Sequence, residues 1–260
     1  MNTITVNEAK NLLLVYESEN AANLANIDFM TRNGIESEYL TVGGALIINQ
    51  LFRGEKFTDV CPIGTEWNMD EVLAYLAENR KGSKIRIDIQ KSDTKTKAEL
   101  MTRMSENFTY RKTYTDYILT ETCDIAEDPP IRLLTPDDRD IFLAMEYTQE
   151  QYRPPLSILF DSFVVNKVDN GKILAFFEDG KILGALSFVH QSGVYYDVDY
   201  VWTAPSRRGN GIGSRLTAAY IRELQKSGDI PMWSNPKNEA SMKLAMKYGF
   251  KLNRETLSFE

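Results

Sequence analysis

Apolar residues in the second half of the chain fall into two spacings, short runs rich in β-branched and aromatic side chains and one long stretch in which they return at every fourth place. KILAFFEDGKILGALSFV, from Lys172, is two strands folded about Glu178, Asp179 and Gly180, since Asp-Gly between apolar runs adopts the left-handed turn that joins antiparallel strands. VYYDVDYVWT, residues 194 to 203, is a third strand by the same enrichment. Beyond it Ile212, Leu216, Tyr220 and Leu224 mark the buried face of a helix. Upstream, IRLLTPDDRDIFLAM is a short strand and then a helix that Thr135 caps and Pro136 begins. A longer helical stretch follows, interrupted at Pro154 and Pro155. The half closes as strand, helix, strand, helix, strand, a mixed α/β pattern.

ETCDIAEDPP, residues 121 to 130, breaks this pattern, because its acids and paired prolines forbid helix and disfavour sheet. The boundary is placed there, with one domain over residues 1–126 and a second over 130–260, a division that suits the length. At an offset of 142 Phe250 falls on Phe108, Met246 on Met104, Ala240 on Ala98 and Ser234 on Ser92. LAYLAENRKGSKIRIDI then lies beside an equivalent helix and strand, so a duplicated fold is expected.

Composition narrows the partners. With 43% apolar and 26% charged residues the chain is a globular type with no long disordered stretch. MNTITVNEAKNLLLVYESEN has neither the basic head nor the apolar core of a secretory signal, and no run is long enough to cross a bilayer. Cys61 and Cys123 stand in no metal spacing, so no metal is expected and a reducing, cytoplasmic setting fits. The sole histidine, His190, ends a strand and reads as a surface residue. A net charge of −7 argues against nucleic acid. The balance is uneven: residues 201 to 260 carry ten Lys and Arg against five acids, leaving −12 on the first 200. Such a distribution suits an anion held near the last quarter and a cationic substrate drawn to the rest.

That last quarter contains VWTAPSRRGNGIGSRLTAAYIRELQK, from Val201, where a strand passes through a glycine loop into a helix. Strand, glycine loop and helix N-terminus together bind phosphate, since orphan N–H groups and the positive end of the helix dipole face the anion. Glycines let the anion reach the backbone, and Arg208 with Arg207 adds charge-assisted bonds. A Walker loop would end in Gly-Lys-Ser/Thr where this one has Ile212, Gly213 and Ser214, and GNGIGS does not fit the dinucleotide GxGxxG. Arg208-x-x-Gly211-x-Gly213, with Pro205 before it, closely resembles the coenzyme A pyrophosphate loop of GNAT acetyltransferases. NPKNEASMKLAMKYGFKL, from Asn235, resembles that family's closing segment, with Asn238 as helix cap and Gly249 as the left-handed residue ending the helix.

The resemblance implies a mixed, mostly antiparallel central sheet flanked by helices, and acetyl-CoA as the acyl donor bound between two splayed parallel strands. Trp202 and Thr203 would offer backbone N–H groups to the thioester carbonyl. Arg207, Arg208, Gly209, Asn210, Gly211, Ile212, Gly213 and Ser214 would cradle the pyrophosphate, and Asn238 would contact the pantetheine. The amine must lose a proton, and Asp199, then Asp197, are the candidate bases, sharing a strand face by its period of two. Ala245 stands where the family has a tyrosine that protonates the leaving thiolate, with Tyr248 as the substitute.

In the first half Gly64, Thr65, Glu66, Trp67, Asn68 and Met69 replace the loop, and Thr96 replaces Asn238, so that half should hold no cofactor and should instead wall the acceptor cleft or mediate a homodimer. The leading expectation is a small-molecule amine N-acetyltransferase. The alternatives are a coenzyme A binding or sensing module without turnover, which Ala245 keeps open, and a protein lysine or N-terminal acetyltransferase.

Overall fold

Alternation along each strand decides which side chains face which layer of helices, and in this computed structural model the alternation is regular. Residues 16, 65–66, 91–93, 148–154 and 237 are not described, nor are the side chains of 17–19, 90, 94 and 95. Thr65, Glu66, Ser92 and Pro154, singled out above, therefore lie outside the described residues. The chain forms two compact units, residues 1–116 with 252–260, and residues 117–251. The divide thus precedes the segment 121 to 130, and the segment from residue 252, expected in the second domain, belongs to the first unit.

In the first unit β1 (Asn2–Ile4), α1 (Val6–Leu14) and α2 (Glu17–Arg32) precede the meander β2 (Ser37–Val42), β3 (Ala45–Phe52) and β4 (Glu55–Pro62). Then come α3 (Met69–Asn79), β5 (Lys84–Gln90), α4 (Thr94–Met104) and β6 (Tyr110–Ile118), whose last two residues pass into the second unit. β4 and β5 are parallel, whereas β1 to β4 pair antiparallel. Ala45 and Ile47 pack with Val72 and Leu76 of α3, while Leu46 and Ile48 pack with Leu13 of α1 and Ile27 of α2, the period of two in practice.

The second unit repeats the plan. β7 (Ile131–Leu133) leads to a single 3-10 turn, Pro136–Asp138, before the short α5 (Arg139–Leu143), so Thr135 and Pro136 open the helical stretch where expected. α6 (Leu156–Phe160), the hairpin β8 (Lys172–Glu178) and β9 (Lys181–Ser192), and β10 (Tyr195–Thr203) follow. Asp179 and Gly180 both have positive φ, as a two-residue hairpin turn requires. Next are α7 (Ile212–Ser227), β11 (Ile230–Ser234), α8 (Glu239–Lys247) and β12 (Lys251–Phe259). β11, β10, β9, β8 and β7 lie in that order, antiparallel except for the parallel pair β10 and β11. Ile212, Leu216, Tyr220 and Leu224 are buried against Leu174, Phe176, Leu186 and Phe188, and each such aliphatic side chain contributes about 1.5–3 kcal/mol. The opposite face of the sheet holds Ile173, Ala175, Tyr200 and Trp202 with Phe142 and Phe160.

β12 follows α8 in sequence yet lies in the first unit, between β5 and β6. It pairs antiparallel with β5 from Arg254↔Gln90 to Phe259↔Ile85. Arg254 is buried there with Asp88 at 3.1 Å and Asp116 at 2.5 Å, and Thr256 donates to Asp88 at 2.6 Å. Among the described residues no helix is long and apolar enough to cross a membrane.

Candidate functional site

A cleft opens where β10 and β11 part. The two strands pair at Tyr195↔Ile230, Tyr196↔Pro231 and Asp197↔Met232, and β10 then continues to Thr203 without that partner. Side chains take over at the parting. The Tyr220 hydroxyl, fully buried on α7, accepts from the Met232 N–H at 3.0 Å and donates to the Tyr196 carbonyl at 2.6 Å. Burial pushes this phenol's pKa up, so it stays protonated and able to donate. Asp197 accepts the Ser234 N–H at 2.8 Å, two residues beyond the last paired position of β11. Asp197 therefore serves the strand backbone and does not line the cleft.

The cleft measures 880 Å³ and is bounded by β10 from Val198 to Thr203, the loop and first turn of α7, and the β11 to α8 segment. Gly211, at φ +77°, is the N-cap of α7, and a glycine cap has no side chain to bond the first-turn amides. No acid stands in that turn. A methyl group at Gly211 would meet no atom within 4 Å, so packing does not demand glycine; the left-handed backbone does. α7 itself is seated tightly. A methyl at Gly184 on β9 would come within 2.5 Å of Ile212 and 3.1 Å of Leu216.

Arg208 lines the cleft, is exposed, and makes no ion pair among the described residues. Arg207 points away and pairs with Glu178, and exposed Asn210 is outside the lining, so the structure does not bring either to the cleft. Gly209, Ile212, Gly213 and Ser214 are brought there. Ser214 Oγ accepts from Lys247 Nζ at 2.5 Å and lies 2.9 Å from the Tyr248 hydroxyl, which donates to the Ser214 carbonyl at 2.8 Å. Tyr248 is thus turned onto the first turn of α7 and away from the cleft, a correction to its expected placement.

The alternation along β10 is interrupted by a bulge between Val198 and Tyr200, which pair with Phe188 and Ser187 of β9. Val198 packs under α7, whereas Tyr200 and Trp202 pack on the opposite face, so the core phase switches across Asp199. Asp199 is exposed, lines the cleft, and accepts from the buried Ser187 hydroxyl at 3.0 Å. Past the bulge the Ala204 N–H donates to Leu183 across β9 at 2.9 Å. By alternation the Trp202 amide faces β9 as well, and those of Val201 and Thr203 face the open edge. Thr203 is therefore on the cleft side with its amide, while Trp202 contributes only its side chain. Tyr147 adds an aromatic neighbour, its ring 6.3 Å from Tyr200 and 6.5 Å from Trp202.

On α8, Asn238 caps the helix by accepting the Ser241 N–H at 2.8 Å, and it lines the cleft. The helix ends with Phe250 N–H on the Ala245 carbonyl and Gly249 N–H on that of Met246, a Schellman closure. Ala245 is fully buried in the core, so a larger ring at this position has no free cleft to enter. The α8 residues that do reach the cleft beyond the cap are Glu239, Ala240, Ser241, Lys243 and Leu244. Ser241 and Trp233 were missed by sequence reasoning, since the bond between Trp233 Nε1 and Ser241 Oγ, 3.0 Å, joins a strand to a helix.

Residues 132–250 match the model of the acetyltransferase (GNAT) family. Solved structures share the fold along the whole chain. A GNAT-family acetyltransferase from Colwellia psychrerythraea superposes with a TM-score of 0.61 at 13% identity, covering 100% of this chain and 98% of its own. A tandem GNAT protein from the clavulanic acid biosynthesis pathway, solved without AcCoA, gives 0.59 at 12% identity, covering 99% and 96%. A GCN5-related N-acetyltransferase from Kribbella flavida gives 0.56 at 13%, covering 92% and 94%. No curated protein matches the sequence. Residues 132–250 are a GNAT acetyltransferase domain, in a family of acyl-CoA-dependent acetyl transfer, and the fold of the chain is consistent with a duplicated GNAT fold.

Proposed function

We propose that the protein moves an acetyl group from acetyl-CoA to a primary amine of a small molecule by direct attack. One observation carries this reading: the first turn of α7, with a glycine cap and no acid of its own, opens onto a cleft between two parting parallel strands. Acetyl-CoA, when bound, supplies the activated acetyl thioester. The amides following Gly211, with Arg208, hold its pyrophosphate, and Asn238 borders the pantetheine. The Val201 and Thr203 amides on the open edge stabilise the oxyanion. Asp199 accepts the amine's proton, directly or through one water, and the acidic balance of the first 200 residues favours a cationic acceptor.

A panel of primary amines with acetyl-CoA, followed by release of free thiol, tests the proposal. Turnover with one or more small amines is expected, reduced about 100-fold in Asp199→Asn with little change in cofactor affinity. Tight binding of acetyl-CoA with no thiol released by any amine would overturn it in favour of a sensing module, a reading that the buried Ala245 and the engaged Tyr248 would then explain.

A further inference from the structure

The reaction just described leaves the departing sulfur without a partner from the family position. Ala245 is closed in the core, and the Tyr248 proton is given to a carbonyl of α7. One hydroxyl on α8 does line the cleft, that of Ser241. It is defined from two sides. Its N–H is held by Asn238 at 2.8 Å, which fixes the first turn of the helix, and its Oγ receives the Trp233 indole N–H at 3.0 Å. Trp233 is 2% exposed and meets Phe250 edge-on with centroids 5.7 Å apart, so the donor is held in place. An indole N–H can only donate. The serine oxygen is therefore the acceptor, and its own hydrogen finds no acceptor among the described residues. Accepting from Trp233 polarises the Ser241 O–H and makes it a better donor. The residue also stands in the first turn of α8, where the helix dipole favours negative charge.

We propose that Ser241, oriented by Trp233, donates a hydrogen bond to the acyl donor's sulfur and stabilises the thiolate as it leaves. The inference rests on the acetyl-transfer reading. In the balanced step the amine nitrogen bonds to the carbonyl carbon and the carbon–sulfur bond breaks, leaving its electron pair on sulfur. The nitrogen's proton passes to Asp199. Ser241 keeps its proton, since an alcohol is too weak an acid to protonate a thiolate, and sulfur is protonated by solvent after release. Ser241 is then a catalytic residue and Trp233 a positioning residue.

The test titrates the thiol of coenzyme A bound at saturation, read by the ultraviolet absorbance of the thiolate, with calorimetric affinity for acetyl-CoA measured alongside. Ser241→Ala should raise the bound thiol's pKa by about one unit, a tenfold change in ionisation, with acetyl-CoA affinity unchanged. Ser241→Thr should restore the wild-type value, and Trp233→Phe should shift it part of the way. Turnover should fall about tenfold in Ser241→Ala through kcat, with KM constant. An identical thiol pKa in wild type and in Ser241→Ala, both binding the cofactor, would overturn the role of Ser241 while leaving the acetyl-transfer reading intact. Wild-type protein that binds no coenzyme A would overturn that reading, and this inference with it.

Discussion

Two helices, α3 and α7, occupy the same place in the two copies of the fold, and their first turns are made differently. At α3 the Asn68 side chain accepts the Glu71 N–H at 3.3 Å and donates to the Glu71 carboxylate at 2.8 Å. Asp70 and Glu71 add negative charge where an anion would sit. The strands there also stay together: β4 pairs with β5 up to Val60, near its end at Pro62, and Asp59 is clamped by Arg86 across the pair. At α7 the cap is a bare glycine, the first turn has no acid, and the strands part at Asp197, well before Thr203. The anion site proposed at α7 would thus depend on what is left out, namely a cap side chain, first-turn carboxylates and the final rungs of a parallel ladder.

The largest effect is expected from giving α7 the features of α3. Gly211→Glu puts a carboxylate over the open amides, and acetyl-CoA affinity should fall at least 100-fold, about 2.7 kcal/mol, with the far-ultraviolet circular dichroism unchanged. A calorimetric affinity equal to wild type would remove the loop from the site. A smaller loss, about tenfold, is expected for Arg208→Ala, since a hydrogen bond to a charged group contributes roughly 1.5 kcal/mol. Arg207→Ala should cost less than Arg208→Ala because its guanidinium is engaged with Glu178. The reverse order would mean that the loop presents the other arginine.

Asn68→Ala should destabilise the first unit by about 1 kcal/mol in thermal unfolding. Titration should still give one equivalent of coenzyme A per chain, with hydrogen exchange slowed around Arg208 to Gly213 and Asn238 and not at Asn68. A second equivalent would show that the cap alone had closed the first unit. The smallest effect concerns acid. The Arg132 guanidinium, then the Thr135 N–H and hydroxyl, hold the Asp138 carboxyl below its ordinary range. A lowered folded pKa contributes stability that is present above the unfolded value near 4 and lost as pH falls further. Asp59, raised by burial, has the opposite sign, and its cost is relieved by acid. Asp138→Asn should therefore flatten the acid limb of the unfolding free energy by about 1 kcal/mol or less, Arg132 being half-exposed. An unaltered acid limb would assign the acid sensitivity elsewhere.

Much of the second unit could be read from residues because its signals are local. The Asp179-Gly180 turn, the fourfold spacing in α7, the Asn238 cap and the Gly249 closure each depend on neighbours within a few places. What could not be read depends on partners far away in sequence. The period of two that joined Asp197 to Asp199 takes no account of a bulge, which exists only relative to β9, or of the Ser234 amide that claims Asp197. Helical spacing brought Tyr248 near the expected position but could not say that Ser214 holds its hydroxyl. The alternation in residues 251 to 259 marks a strand without naming its sheet.

That strand has a consequence in time. In β12, Leu257 faces Ile87 and Phe259 faces Ile85, contacts that span most of the chain and raise the contact order of the first unit. During synthesis at roughly 5–20 residues per second, β5 must wait on the order of ten seconds before its neighbour leaves the ribosome. Until then the edges of β5 and β6 carry unpaired backbone groups, the kind of template to which other strands add. Arg254 arrives with β12 and meets Asp88 and Asp116 already in place. The nascent first unit thus keeps an open sheet edge until the second unit has been synthesised.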